Sequence, residues 1–168
     1  FSSSNVSWPL VLQANGIDPA SVEVLKVDPG ALAPMLATGQ VDGTINWLTV
    51  APAYMAPLKE VGKTFKAVPW SEYGYEGYGL SLFTSDRMIS ERPDVLKRLV
   101  AAYQKATLAA IDDPAGAAAA LKAMVPEVDE QVAQEQWEAS IPLMVNEITE
   151  ADGMGVFKPE LLNASWGW

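Results

Sequence analysis

Cysteine and histidine are both absent from the 168 residues. Without Cys there are no disulfides, thiolate nucleophiles or zinc–sulfur sites, and the redox compartment is left open. Without His the commonest general base and metal ligand is missing. Hydrolase triads and most zinc or iron sites are thereby excluded, and an enzyme built on this chain would depend on carboxylates, Lys, Tyr or a cofactor. Positive charge is scarce as well. Lys and Arg number 11 against 21 Asp and Glu, a formal net charge of −10. No basic run exceeds two residues, which argues against nucleic acid as a partner and against an anionic membrane surface. No apolar run approaches the roughly twenty residues that span a bilayer. The chain opens on Phe1 and a serine run, with no initiator Met and no apolar signal core. That pattern is expected where a signal segment has been removed or where a fragment starts inside a domain. Neither GxGxxG after a strand nor GxxxxGK[ST] occurs, so no nucleotide signature is present.

What is present has the balance of a globular chain: 49% hydrophobic and 19% charged residues. The length suits one ordinary domain or two small lobes. Ser2, Ser3, Ser4 and Asn5 precede an apolar-rich segment, Val6 to Ala14, that stops at Asn15-Gly16. This is a cap cluster, a helix and a Gly stop, with Pro9 placing the helix start near Trp8. The same cluster serves either as simple capping or as a seat for a carboxylate, phosphate or sulfonate. VEVLKV (Val22 to Val27), VDGTINW (Val41 to Trp47), Thr64 to Val68 and YGLSLFT (Tyr78 to Thr84) read as strands. Between them Asp28-Pro29 opens a helix that ends at Gly39, and Thr49 to Leu58 forms a helix interrupted by Pro52 and Pro57. The order α-β-α-β-α-β predicts a parallel sheet covered by helices. From Arg92-Pro93 onward the pattern is helical. Leu96, Leu99, Val100, Tyr103, Thr107 and Ile111 form the apolar stripe of the longest helix, read as core. Asp112-Asp113-Pro114 separates it from an Ala-rich helix, and further helices run through Trp137 and from Glu160.

Seven of the fifteen aromatic residues fall between Thr44 and Gly79: Trp47, Tyr54, Phe65, Trp70, Tyr73, Tyr75 and Tyr78. Tyr54 and Phe65 aside, they sit at segment ends or beside Gly, Pro and Ser. Aromatic faces displayed on loops grip flat small molecules; the alternative is a loop-rich hydrophobic minicore. Among the carboxylates, Asp112/Asp113 and Glu147/Glu150 read as solvated helix ends and a helical face, Asp28 as a cap and Asp42 as a turn residue. Glu76, inside the aromatic loop, is the one placed to accept hydrogen bonds from a ligand amine or amide.

The serine loop opening a helix, followed by GIDPASVEVLKVDPGALAPMLATGQVDGTINW, resembles the second lobe of the solute-binding proteins of ABC importers. The similarity is to the group that includes thiamine-pyrimidine-precursor binders and sulfonate, taurine and nitrate binders. Gly16-Ile-Asp-Pro19, Val22 to Val27 and Leu36-Ala-Thr-Gly-Gln-Val-Asp42 carry it, with Gly43 in place of the usual Ala. GYGLSLFTSDRMISERPDVLKRLVAAYQKATLAAIDDP resembles the crossing strand and following helix, with Tyr103 in place of Phe. The resemblance implies a type II periplasmic-binding-protein-like α/β fold. Residues 1–76 would form a three-layer lobe with a parallel-rich sheet flanked by helices. Residues 77–168 would supply the crossing strand and mostly helical C-terminal part of the other, incomplete lobe. It also implies a non-enzymatic, extracytoplasmic or periplasmic protein that presents a small molecule to a membrane permease, with no cofactor, catalytic residue or metal. Implied cleft positions are Ser2, Ser3, Ser4, Asn5, Trp47, Glu76 and Tyr78; the aromatic argument adds Trp70 and Tyr75. The expected ligand is a pyrimidine or other planar heterocycle. Sulfonate, taurine or nitrate binding is the alternative, as is an enzyme of pyrimidine-precursor synthesis. A eukaryotic enzymatic branch consumes an active-site His, which this chain does not have. A sensor domain on the same fold is a third reading. An unpaired lobe-one strand would expose a sheet edge, so self-association is also expected.

Overall fold

The computed structural model describes residues 3–167, and Ser2 therefore lies outside the described residues. The chain divides into two units: one runs to Tyr78 and is rejoined by the tail from Phe157, and the other spans Gly79–Val156.

In the first unit, helix α1 covers Ser4–Ala14. It starts four residues ahead of the position inferred from Pro9, because the Val6 and Ser7 amides both close onto the Ser3 carbonyl at 2.9 and 3.0 Å. Pro9 then sits inside the helix. Its missing N–H costs one bond to the carbonyl of Asn5, an exposed residue that water can serve. The helix buries Val11 and Leu12 and closes at Gly16, whose φ of +72° suits a residue without Cβ. Asp28 caps the turn Pro29–Ala31 through the Gly30 amide. Helix α2, Leu32–Thr38, follows it and ends at Gly39 in the left-handed region. Helix α3, Pro52–Glu60, takes Pro52 at its first position and runs on through Pro57. Ala37, Tyr54 and Leu58 are buried where α2 and α3 meet, with Leu32, Ala33, Leu36, Val50 and Phe65 packed around them.

The second unit is a run of capped helices. Helix α4 is Asp86–Glu91, α5 Pro93–Asp112, α6 Pro114–Met124, α7 Glu130–Met144 and α8 Glu147–Asp152. Ser85, Asp113, Asp129 and Asn146 cap four of them by accepting from backbone amides of the first turn. The buried residues here are Ala110, Ala118 and Ala133, so α5, α6 and α7 pack through small side chains. Helix α9, Pro159–Gly167, belongs to the first unit.

No β-strand occurs among the described residues, which overturns the three-layer α/β lobe and its parallel-rich sheet. A strand exists only if its amides and carbonyls meet a neighbour about 4.8 Å away. The backbone bonds present here are those of helices, caps and turns. None of the four alternating runs gains a ladder partner among the described residues: Phe65 packs on the core, whereas Val24, Leu25, Leu80 and Phe83 are exposed. The α5 stripe is also covered only in part. Leu96, Thr107 and Ile111 are half-buried, and Leu99, Val100 and Tyr103 face solvent.

The surface reflects this. The chain exposes 12244 Å², whereas two compact units of half its mass would together expose about 9,700 Å². Stability therefore rests on few residues. Leu58, 2% exposed, should lose roughly 2–5 kcal/mol on Leu58→Ala, while Met55→Ala on the exposed side of α3 changes stability by about 0.5 kcal/mol or less. Urea unfolding of both variants checks the difference, and equal effects would place the core elsewhere.

Candidate functional site

Ser3 stands at the N-cap of α1 in the helical region, φ −55° and ψ −30°, and its hydroxyl makes no capping bond. A capping side chain ordinarily needs extended backbone to fold back over the first amides. Ser4 is half-buried and Asn5 exposed. The following turn does more. Trp8 stacks on Trp70 with ring centroids 5.9 Å apart and planes 24° from parallel. Tyr75 meets Trp70 edge-on at 5.6 Å and 81°, and its hydroxyl shares a 2.8 Å hydrogen bond with Ser7 Oγ. Further along α1, Asn15 Nδ2 donates to the Tyr73 carbonyl at 3.0 Å and to the Val11 carbonyl at 2.9 Å. The loop is therefore fastened to α1 at two levels. A short turn at Trp70–Tyr73, ended by Gly74 at φ +87°, swings Tyr75 back against Trp70. The Tyr75 amide closes it by donating to the Trp70 carbonyl at 3.1 Å.

Tyr78 engages different partners. Its amide donates to Ser165 Oγ at 3.1 Å, and its hydroxyl accepts from the Lys158 amide at 2.7 Å. Its ring meets Phe157 edge-on at 5.0 Å. Gly77 fits here because a Cβ on it would fall 2.5 Å from Ser165 Oγ, and because its φ is +153°. Glu76, between the two anchored tyrosines, is exposed. Trp47 is 60% exposed; its amide donates to Asn46 Oδ1 at 2.8 Å.

Of the residues singled out from sequence, the structure thus brings Trp70 and Tyr75 together. Glu76 and Tyr78 follow on the same loop. Trp47, Ser3 and Asn5 take no part in the ring cluster. Tyr54 joins the core, where Thr44 Oγ1 and Asn46 Nδ2 donate to its hydroxyl at 3.3 Å each, and its ring packs on Phe65. Sequence reasoning missed Ser7, Trp8 and Asn15 on α1, together with Phe157 and Ser165. The first group was detectable, since Trp8, Val11 and Asn15 recur at i, i+3 and i+7, one helical face. The second was not, because Ser165 is 87 residues from the amide it receives.

Chemically, the cluster offers aromatic faces and hydroxyls on segments that carry no Lys or Arg. Helix α1 carries no charged residue, and residues 70–78 carry Glu72 and Glu76 but no Lys or Arg. Trp8 and Trp70 are in mutual contact, so a flat ligand stacks on an outer face rather than between them. The depressions along α4 and α7 are lined by residues of one helix and its caps, which cannot enclose a ligand. Among the described residues no group of three or more Asp or Glu is placed to hold a metal ion.

Residues 4–117 match the family model described as NMT1/THI5 like. The matched stretch covers more than half of the chain, which therefore belongs to this family, and it includes α1 and the whole aromatic loop. No curated protein and no solved structure matches the chain.

Two outcomes test this geometry. A double-mutant cycle on Ser7→Ala and Tyr75→Phe should give a coupling of about 0.5–1.5 kcal/mol; additive effects in urea unfolding would show that the hydroxyls do not pair. Gly77→Ala should loosen the tail at a cost on the order of 1–3 kcal/mol, seen as faster proteolysis within residues 157–167. Unchanged cleavage would remove the close approach of Gly77 to Ser165.

Proposed function

We propose that the chain is a solute-binding component of an importer, and that it takes a neutral or cationic planar heterocycle, of the pyrimidine type, without transforming it. The family match over α1 and the aromatic loop carries this reading. The composition of the loop supports the ligand class: residues 70–78 bring two carboxylates and no Lys or Arg, which favours a heterocycle with amine or amide donors over a sulfonate or nitrate. Stacking on Trp70 or Tyr75 supplies apolar area, and Glu76 accepts from an exocyclic amine. An extracytoplasmic location and delivery to a membrane permease belong to the same proposal.

A ligand present at about 100 times its Kd stabilises the folded chain by about 2.7 kcal/mol, a rise of several degrees in melting temperature. Aminopyrimidines should produce that rise, with no change in the compound recovered afterwards. Glu76→Gln should weaken an amine-bearing ligand about tenfold, consistent with a hydrogen bond to a charged group. Stabilisation by alkyl sulfonates or nitrate but by no heterocycle would favour the anion reading, and conversion of the compound would favour an enzyme.

A further inference from the structure

Of the five asparagines, Asn15 alone is followed by glycine. That pair carries its own chemistry: with no side chain beside it, the glycine nitrogen is open to attack the asparagine side-chain carbonyl carbon and expel ammonia. Both residues are exposed here, and a Cβ added to Gly16 would meet no atom within 4 Å. Asn15 is also a fastener. Its Nδ2 donates to the Val11 carbonyl at 2.9 Å and to the Tyr73 carbonyl at 3.0 Å. Carbonyls only accept, so the contact between α1 and the aromatic loop needs the nitrogen end of this amide.

We propose that Asn15-Gly16 deamidates spontaneously when its turn opens, and that the acid so formed releases the aromatic loop from the end of α1. Gly16 N bonds to Asn15 Cγ as the Cγ–Nδ2 bond breaks. The Gly16 amide proton passes to a solvent base, and the departing nitrogen takes a proton from water to leave as ammonia. Water then opens the five-membered ring to an aspartyl or iso-aspartyl residue, and it is the only co-reactant. In the closed turn the atoms do not meet. Ring closure needs Asn15 Cβ alongside Gly16 N about the Cα–C bond, and at ψ 15° the Asn15 backbone nitrogen lies there instead. The Gly16 amide is occupied as well, donating to the Gln13 carbonyl at 3.0 Å. The side chain must therefore leave Val11 and Tyr73, and the turn must extend, before reaction. Once formed, the acid does not restore the contact. A carboxylate has no donor for two carbonyls, and it stands at the C-terminus of α1, where the helix dipole opposes negative charge. Neither α1 nor residues 70–78 hold a Lys or Arg to offset it. With ammonia lost, the release is one-way. This inference concerns how the loop is held and is independent of the ligand reading.

The test incubates the full chain at mildly alkaline pH, folded and in urea, and maps conversion by peptide mass spectrometry. In the folded chain acid should accumulate at Asn15 ahead of Asn5, Asn46, Asn146 and Asn163. Conversion at Asn15 should be about tenfold faster or more in urea, where no turn has to open. Hydrogen exchange reads the release. The Glu72, Gly74 and Tyr75 amides, which close the turn at 70–75, should exchange about tenfold faster in the converted protein and in Asn15→Asp, as the loss of two neutral hydrogen bonds implies. Amides of α5 should keep their rates. Conversion at Asn15 no faster than at the other four asparagines, or equally fast folded and in urea, overturns the proposal. So does wild-type exchange of the three loop amides in the converted protein, whatever Asn15→Asp shows.

Discussion

A backbone amide outside a helix has to find an acceptor elsewhere, and much of this molecule follows from how few such acceptors it supplies. Its helices satisfy themselves along their length, and the N-termini of α4, α6, α7 and α8 are closed by Ser85, Asp113, Asp129 and Asn146. The connecting runs have no ladder to join. Among the described residues Glu23 to Val27 and Gly79 to Thr84 make no backbone–backbone hydrogen bond, and Val24, Leu25, Val27, Leu80, Leu82 and Phe83 are exposed. The buried residues are few: Val11 and Leu12 in α1, Ala37, Tyr54 and Leu58 where α2 and α3 meet, and three alanines in the second unit.

The aromatic cluster makes sense within that constraint. With no sheet to carry it, the loop at 70–75 is held by one helix, through a ring stack, a hydroxyl pair and the Asn15 amide. Each contact is worth on the order of 1 kcal/mol. Together they fix the rings against each other, which limits ligand access to their outer faces. The cluster is thus partly a minicore, in which Trp8, Trp70 and Tyr75 serve one another. The segments that carry these rings, α1 and residues 70–78, hold no Lys or Arg.

The two halves of the aromatic stretch have separate loyalties. Trp70 and Tyr75 are held by α1, whereas Tyr78 is held by the tail at Phe157, Lys158 and Ser165. Glu76 and Gly77 lie between these anchorages. Glu76 is exposed, and Gly77 is there because no larger residue fits beside Ser165. A carboxylate displayed between two fixed rings is geometrically more defined than its position in a surface loop would imply.

Helix positions were legible because their signals are local. Asp28-Pro29, Gly39, Arg92-Pro93 and Asp113-Pro114 act within one turn of themselves, and each marks a boundary in the structure. The absence of Cys and His, the acidic balance and the motifs from Gly16 to Trp47 likewise stand in the residues alone, and with them the kinship. Strand pairing is not local. VEVLKV and GLSLFT have the alternation of strands, but alternation supplies only one side of a hydrogen-bonded pair, and the other side must come from distant chain. The same holds for the site. Sequence spacing gathered seven aromatics into one stretch; tertiary contacts sent Tyr54 to the core, joined Trp70 to Trp8 and Tyr75 to Ser7, gave Tyr78 to Ser165 and left Trp47 in solvent, because each of those choices depends on a partner that no local pattern names.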